Sequence, residues 1–258
     1  MFLPGKASGL VIMIIICGLI LWRISQARTG KLPSIRRLPQ LDAIDEIIGR
    51  CVELDRPVHV SPGRGGLVDV EAPQVLAGLE VMSYVARKAA QMDAKLIATV
   101  CQAEVYPVAE AIVREAFAAE GKEQAFRPEM VRYLSPNQFA YAAGILGIYN
   151  REKPGGNIYI GLFFAESLLL LEGGFLAGAM QIGGTANTLQ SQFFVACCDY
   201  ALLGEEIFIA GAYLSKNPMR LGALMGQDLG KALFMALIVV GVVLRAFGDT
   251  TISQILSK

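Results

Sequence analysis

The stretch Val58-His59-Val60-Ser61-Pro62-Gly63-Arg64-Gly65-Gly66 decides how this chain is read. Its first four residues, Val58–Ser61, form a short strand with β-branched residues, and Pro62-Gly63 ends it. A helix follows from about Pro73 to Met92, with proline in the first turn, where its missing N–H costs nothing. The same order then recurs. Lys95–Cys101 (KLIATVC) is a second strand, followed by a helix over Pro107–Glu120 that stops at Gly121. Met130–Leu134 (MVRYL) is a third, followed by a helix over Asn137–Arg151 with Ser135 as its cap. Asn157–Phe163 (NIYIGLF) is a fourth, followed by a helix over Glu166–Glu172 that breaks at Gly173-Gly174. Ala179–Ile182 (AMQI) is a fifth and ends in Gly183-Gly184-Thr185, with two helices after it, Ala186–Leu203 and Glu205–Ser215. Upstream of the first strand, Leu41, Ile44, Ile47, Ile48 and Cys51 recur at helical spacing behind Asp42, Asp45 and Glu46.

Strands alternating with helices, most of them continuous apolar runs, predict an α/β fold with a sheet covered on both faces. The expected architecture is a mostly parallel, Rossmann-like doubly wound sheet of about five strands. It is flanked by two apolar segments. Gly9–Trp22 (GLVIMIIICGLILW) carries no charge, and neither does Ala232–Leu244 (ALFMALIVVGVVL), which runs on into Arg245. With their flanks both approach the roughly 20 residues that cross a bilayer. The expected organisation is a tail at 1–8, a transmembrane helix at 9–24 and a basic juxtamembrane linker at 25–40. An α/β domain at 41–228, a second transmembrane helix at 231–247 and a tail at 248–258 complete it.

Arg23, Arg28, Lys31, Arg36 and Arg37 follow the first apolar segment, whereas Lys6 alone precedes it. The positive-inside rule therefore places the main domain in the cytoplasm and both termini outside the plasma membrane. A cleaved signal peptide fits poorly, because the charge follows the apolar run and no A-x-A-like site is present. The region from Ile160 to Leu214 is apolar enough to raise membrane-dipping hairpins. Glu166, Glu172, Gln181, Gln190, Gln192, Asp199, Glu205 and Glu206 oppose that reading, and a buried sheet core or subunit contact explains the apolar excess better.

With 23 basic and 23 acidic residues the 258-residue chain has no net charge, so composition gives no reason to expect nucleic acid. Of its five cysteines, Cys17, Cys51, Cys101, Cys197 and Cys198, no two form a C-x-x-C, and reduced thiols are expected.

In an open parallel sheet, ligands bind outside the carboxyl ends of the strands. Those ends offer Ser61, Gly63, Arg64, Gly65 and Gly66, then Gln102 and Glu104, then Ser135, Asn137 and Gln138. The fourth and fifth add Glu166, Ser167, Gly183, Gly184, Thr185 and Asn187. Glycine allows close backbone approach, amides ahead of a helix take up anions, and Arg64 can grip a phosphate or carboxylate with two hydrogen bonds. S-P-G-R-G-G is, however, neither a Walker loop nor a dinucleotide fingerprint, and plain turn chemistry produces similar strings. His59 is the only histidine. It points away from Val58 and Val60, towards the face that also carries Ser61, and a hydrogen-bonded structural role is expected for it. A Ser–His catalytic reading lacks both a nucleophile elbow and an orienting acid. No zinc-ligand spacing occurs, and neither a metal nor another cofactor is expected. Cys197-Cys198-Asp199-Tyr200 and Gly204-Glu205-Glu206 fall in the expected last helices, with a cap and ion pair preferred to a binding role.

Several strings resemble an uncharacterised prokaryotic membrane-protein family, a domain of unknown function. They are L-D-A-I-D-E-I-I-G-R, R-P-V-H-V-S-P-G, F-F-A-E-S-L-L-L-L-E-G, Q-I-G-G-T-A, F-F-V-A-C-C-D-Y-A-L-L-G-E-E-I-F-I-A-G-A-Y-L-S and G-Q-D, spread from Leu38 to Asp228. The resemblance implies membrane attachment and one cytoplasmic α/β domain between two transmembrane helices. It brings no activity, substrate or catalytic residue. The function expected from the residues is a membrane-tethered module that self-associates, scaffolds other membrane proteins or binds a small anionic ligand. The alternative is a membrane-anchored enzyme that handles a nucleotide or phospho-metabolite at the glycine-rich strand ends.

Overall fold

The computed structural model describes residues 7–29, 38–68, 70–215 and 218–246. The expected tails and the centre of the expected 25–40 linker fall largely outside these residues. The chain divides into two compact units, Arg36–Ser215 and the pair of segments Met1–Ile35 with Lys216–Lys258.

In the Arg36–Ser215 unit the chain runs α2 (Pro39–Glu53), β1 (Val58–Gly63), α3 (Ala72–Met92), β2 (Leu96–Val100), α4 (Val105–Ala119) and β3 (Val131–Tyr133). It continues through α5 (Gln138–Glu152), β4 (Gly156–Leu162), α6 (Glu166–Leu176), β5 (Met180–Thr185), α7 (Thr188–Cys197), β6 (Tyr200–Leu203) and α8 (Glu206–Ser215). All six strands are parallel, in the order β3-β2-β1-β4-β5-β6. This is the doubly wound α/β fold expected, with one strand more. The expected helix Ala186–Leu203 is two elements, because Tyr200–Leu203 leaves α7 and pairs with Ile182–Thr185 of β5. The expected stop of α6 at Gly173-Gly174 is also corrected. The helix runs on to Leu176, and the two glycines let it lie close to its neighbours. A Cβ on Gly174 would stand 2.3 Å from Gln181 Oε1 and 2.6 Å from Asn157 Nδ2.

The period of two in a strand gives the two faces of this sheet different chemistry. One face carries Val58, Val60, Leu96, Ala98, Val100, Ile158, Ile160, Ile182 and Leu202, packed with buried side chains of α2, α3, α4 and α8 in one apolar core. The other carries His59, Ser61, Thr99, Asn157, Tyr159 and Gln181, all buried. His59, Asn157 and Gln181 stand at matching register positions across β1, β4 and β5. A second core covers that face with Tyr141, Ile145 and Tyr149 of α5, Leu170 and Leu171 of α6 and Phe194 of α7. The Ile160–Leu214 region thus supplies sheet core and its covering helices. The first and last helices of the unit are joined directly, since the Tyr213 hydroxyl donates to Asp42 Oδ1 at 2.8 Å.

The other unit holds two helices, α1 (Ala7–Arg28) and α9 (Pro218–Ala246), so residues 218–228 belong to a long helix. Gly9–Arg28 and Leu221–Ala246, 20 and 26 residues long, are apolar enough to cross a membrane. The shorter one rises about 30 Å, a hydrocarbon thickness. A soluble core helix of that composition would be mostly buried, whereas only 6% of each apolar window is. The helices pack antiparallel through glycines spaced four apart. Gly222 meets Ile24 and Ala27, Gly226 meets Ile20, and Gly230 lies beside Ile16. A Cβ on Gly226 would sit 2.5 Å from the Ile20 Cα, so the close approach needs glycine there. Gly226→Leu is expected to force the pair apart at a cost of about 1–3 kcal/mol. Oxidative cross-linking of Ile16→Cys with Gly230→Cys in a background free of other cysteines checks this. The cross-link should form readily, and adding Gly226→Leu should largely abolish it.

Candidate functional site

In a sheet of this strand order the topological switch point lies between the carboxyl ends of β1 and β4. The glycine-rich stretch sits there, but its glycines are used for packing. Gly63 has φ +84°, and a Cβ on it would stand 1.9 Å from the Leu162 carbonyl oxygen. The Arg64 amide donates to that same carbonyl at 2.8 Å. β1 therefore stays paired with β4 through an irregularity between Ser61 and Gly63, and backbone bridges the crevice at this point. A Cβ on Gly65 would strike Val75 Cγ2 at 2.3 Å. Gly183 and Gly184 are likewise covered, the first by Phe194 and Cys198, the second by Leu202 and Ile207.

The hydroxyl side chains expected at the rim are engaged in holding the loops. Ser61 is buried, bonds to the Tyr141 hydroxyl and accepts the Gly63 N–H at 3.1 Å. Ser135 Oγ accepts the Asn137 N–H, and its carbonyl accepts the Cys101 thiol. Ser135 does not cap α5. Asn137 does, its Oδ1 accepting from Phe139 N and Ala140 N, because the cap side chain must reach the second and third helical amides. Asn187 caps α7 in the same way through the Leu189 N–H and also donates to the Phe163 carbonyl. Thr185 accepts from the Asn187 amide at 3.2 Å, while Gln74 Oε1 of α3 accepts from the Ala186 amide at 3.0 Å. Glu104 accepts the Leu67 amide, and Gln102 donates to the Arg64 carbonyl. Glu166 is fully buried, with one oxygen accepting the Gln138 amide at 2.6 Å and the other the Phe164 N–H at 2.9 Å. Ser167 bonds to the Phe164 carbonyl and to Gln190. Gly66 lies in the same turn and is buried.

Arg64 differs from the rest. Its Nη2 donates to the Pro136 carbonyl at 3.1 Å, and its guanidinium lies 5.7 Å from the centre of the Phe164 ring. Its Nε is buried and has no acceptor. Among the described residues Arg64 forms no ion pair, while Arg87, Arg114 and Arg132 each do. Beside it, burial pushes the Cys101 thiol up, with a hydrogen bond to Arg64 and then the Arg64 charge acting in the opposite sense.

His59 lies deeper and does not meet Ser61. Its Nε2 is 2.9 Å from Thr99 Oγ1, and Tyr149 and Tyr159 stand edge-on to the ring at 6.1 and 5.4 Å. Burial lowers its pKa to about 3, so the ring is neutral throughout the physiological range. Neither Asn157 nor Gln181 is among the site residues expected from the sequence. Gln181 Nε2 donates to the Leu171 carbonyl, while Gln181 Oε1, both amide atoms of Asn157 and His59 Nδ1 lack hydrogen-bond partners. The signal for this row was the polar residue at the second position of β1, β4 and β5. Asp199 immediately precedes β6 and accepts the Gln181 N–H at 2.7 Å, which replaces its expected place on a helix. Glu206 accepts the Leu203 N–H at the turn through Gly204.

At the opposite, amino-terminal edge of the sheet a groove of about 420 Å³ is lined by Asp55, Lys95, Arg127, Glu129, Arg132 and Glu152 among others. Arg132 forks onto Glu152, and Lys95 pairs with Asp55, so its charges largely satisfy one another. All five cysteines are free, and burial raises Cys51 to about 11. Among the described residues no three His, Cys, Asp or Glu side chains come together as a metal would need.

Two apolar helices flanking a six-stranded parallel α/β unit, with an arginine at the switch point, define the class. The chain belongs to a family defined by a domain of unknown function, DUF6754, which matches residues 1–256. No curated protein and no solved structure matches it.

Proposed function

We propose that this protein is a membrane-tethered module whose α/β unit self-associates on the cytoplasmic face of the plasma membrane. The observation that carries the reading is the outer surface of α6 and α7. Leu168, Leu169, Phe175, Leu176, Leu189 and Val195 are exposed there, Leu176 at 77%, and Glu172 is the one charge among them. These side chains offer on the order of 600 Å² of apolar surface, near the roughly 800 Å² per partner of a standard interface. A second copy is the fitting occupant. Copies held in one membrane by both ends share an orientation and a raised local concentration, and a two-fold contact brings the same face together twice.

Static light scattering on detergent-solubilised protein tests this. Dimers or larger assemblies are expected, shifting towards monomer by about tenfold or more in dissociation constant with Leu176→Asp plus Leu189→Asp. A wild-type protein that stays strictly monomeric overturns the reading. The orientation is supported by the basic cluster after the first apolar segment. In a cysteine-free background, Ser8→Cys and Ser257→Cys should react with an impermeant reagent in intact cells and Ser135→Cys should not. Labelling of Ser135→Cys reverses the orientation.

A second reading places a small anionic ligand at the rim. It is favoured by Arg64, a guanidinium at the switch point that forms no ion pair among the described residues. Among the described residues no nucleophile and base touch each other at that rim, so binding is favoured over catalysis.

A further inference from the structure

We propose that the rim around Arg64 binds a small aromatic oxyanion, its phosphate or carboxylate on the guanidinium and its ring against Phe164 and Phe139. The inference rests on the second reading above and adds the ligand's chemical class. The unused donors of Arg64 come first. A buried N–H without an acceptor is costly, and Nε is in that position, while Nη2 donates to the Pro136 carbonyl and the guanidinium lies against the Cys101 thiol. An oxyanion supplies the acceptors and the charge that this group lacks.

The surroundings define the rest of the ligand. Phe164 stacks on the guanidinium yet is exposed, and the Phe164 amide and the Gln138 side chain meet on the two oxygens of Glu166. Phe139, also exposed, follows Gln138 in the first turn of α5, and its ring is not needed by the core. One exposed aromatic face therefore lies beside a cation that forms no ion pair among the described residues, and Phe139 stands next to Gln138, which shares Glu166 with the Phe164 amide. A bare inorganic anion would use Arg64 and leave these groups idle. A planar anion uses them together, its charge on the guanidinium and its ring stacking on the aromatic side chains.

The test is isothermal titration of the full-length protein in a neutral detergent with four probes: AMP, 4-hydroxybenzoate, inorganic phosphate and adenosine. At least one of the two aromatic anions should bind with a Kd about tenfold or more below that of phosphate, and adenosine should bind no better than phosphate. AMP and 4-hydroxybenzoate separate a phosphate from a carboxylate ligand. Arg64→Gln should weaken the aromatic anion about tenfold to a hundredfold, as loss of a charge-assisted hydrogen bond predicts, and Phe164→Leu about threefold to tenfold. Both variants must keep the wild-type melting temperature within a few degrees. If Arg64→Gln does not, Arg64→Lys, which keeps the charge but not the fork, should give an intermediate loss. Equal binding of phosphate and both aromatic anions would leave an anion at the rim but overturn the aromatic class. No saturable binding of any probe, or binding indifferent to every Arg64 and Phe164 substitution, overturns both.

Discussion

Lowering the pH from 7 to 5 is expected to destabilise the α/β unit by about 2 kcal/mol through His59 alone. The ring is fully buried between Tyr149 and Tyr159, and burial holds its pKa near 3. In the unfolded chain the same ring titrates near 6.5, its ordinary value. Below about pH 6.5 the unfolded state therefore binds a proton that the folded state refuses. Stability is fully present above that pH and falls by about 1.4 kcal/mol per unit until the folded pKa is reached. Glu152, held below its ordinary range mainly by the Arg132 hydrogen bonds, adds acid sensitivity in a lower window, below about pH 4.5. Denaturant titrations of full-length protein in neutral detergent, at pH 7 and pH 5, measure the drop. His59→Gln should lower stability at pH 7, because the ring leaves a gap, yet remove most of the difference between the two pH values. Equal drops in wild type and variant would mean that the imidazole is not held neutral.

Gly63→Ala is expected to be the most damaging methyl group that can be added at the rim. Two costs combine. At φ +84° an alanine is strained by about 1–2 kcal/mol, and its Cβ would lie 1.9 Å from the Leu162 carbonyl oxygen. That oxygen is backbone in a central strand and already accepts the Arg64 N–H, so the β1–β4 pairing itself must open. A loss of about 3 kcal/mol or more follows, or roughly 6–12 °C in melting temperature for a unit of this size. Gly121 supplies the control. It also has positive φ, at +71°, but nothing lies within 4 Å of a Cβ there. Gly121→Ala should cost about 1 kcal/mol, the backbone strain alone. Equal shifts for the two variants, read by thermal unfolding, would show that the carbonyl contact is not decisive.

These contacts also mark what could be read without a structure. The recurrence of strand and helix from Val58 onward was visible because each strand is a compact apolar run closed by glycine or a polar residue. β6 escaped because Tyr200–Leu203 is short and continues the apolar content of α7, and periodicity cannot separate a four-residue strand from helix. That Ser61 and His59 share a face followed from alternation. Their partners, Tyr141 and Thr99, lie 80 and 40 residues away and depend on strand order. From sequence the glycines suggest space for a ligand, whereas Gly63, Gly65 and Gly183 make room for Leu162, Val75 and Phe194. Local sequence marks a glycine but not the atom it avoids. Arg64 is legible as a charge at a strand end, but that it forms no ion pair among the described residues is visible only once the neighbouring elements are placed.

The hydrogen bond between Asp42 and Tyr213 has a consequence for the chain as a polymer. It joins α2 to α8, so the two points where the α/β unit passes into the apolar helices are held together by the folded unit itself. Without that fold, pairing α1 with α9 would mean closing a loop of some 190 residues. With it, the effective loop shrinks to a few short links, which lowers the entropic cost of pairing by about 2–3 kcal/mol. Folding of the α/β unit and assembly of the helix hairpin therefore reinforce one another, and a mutation that unfolds one should loosen the other at a distance.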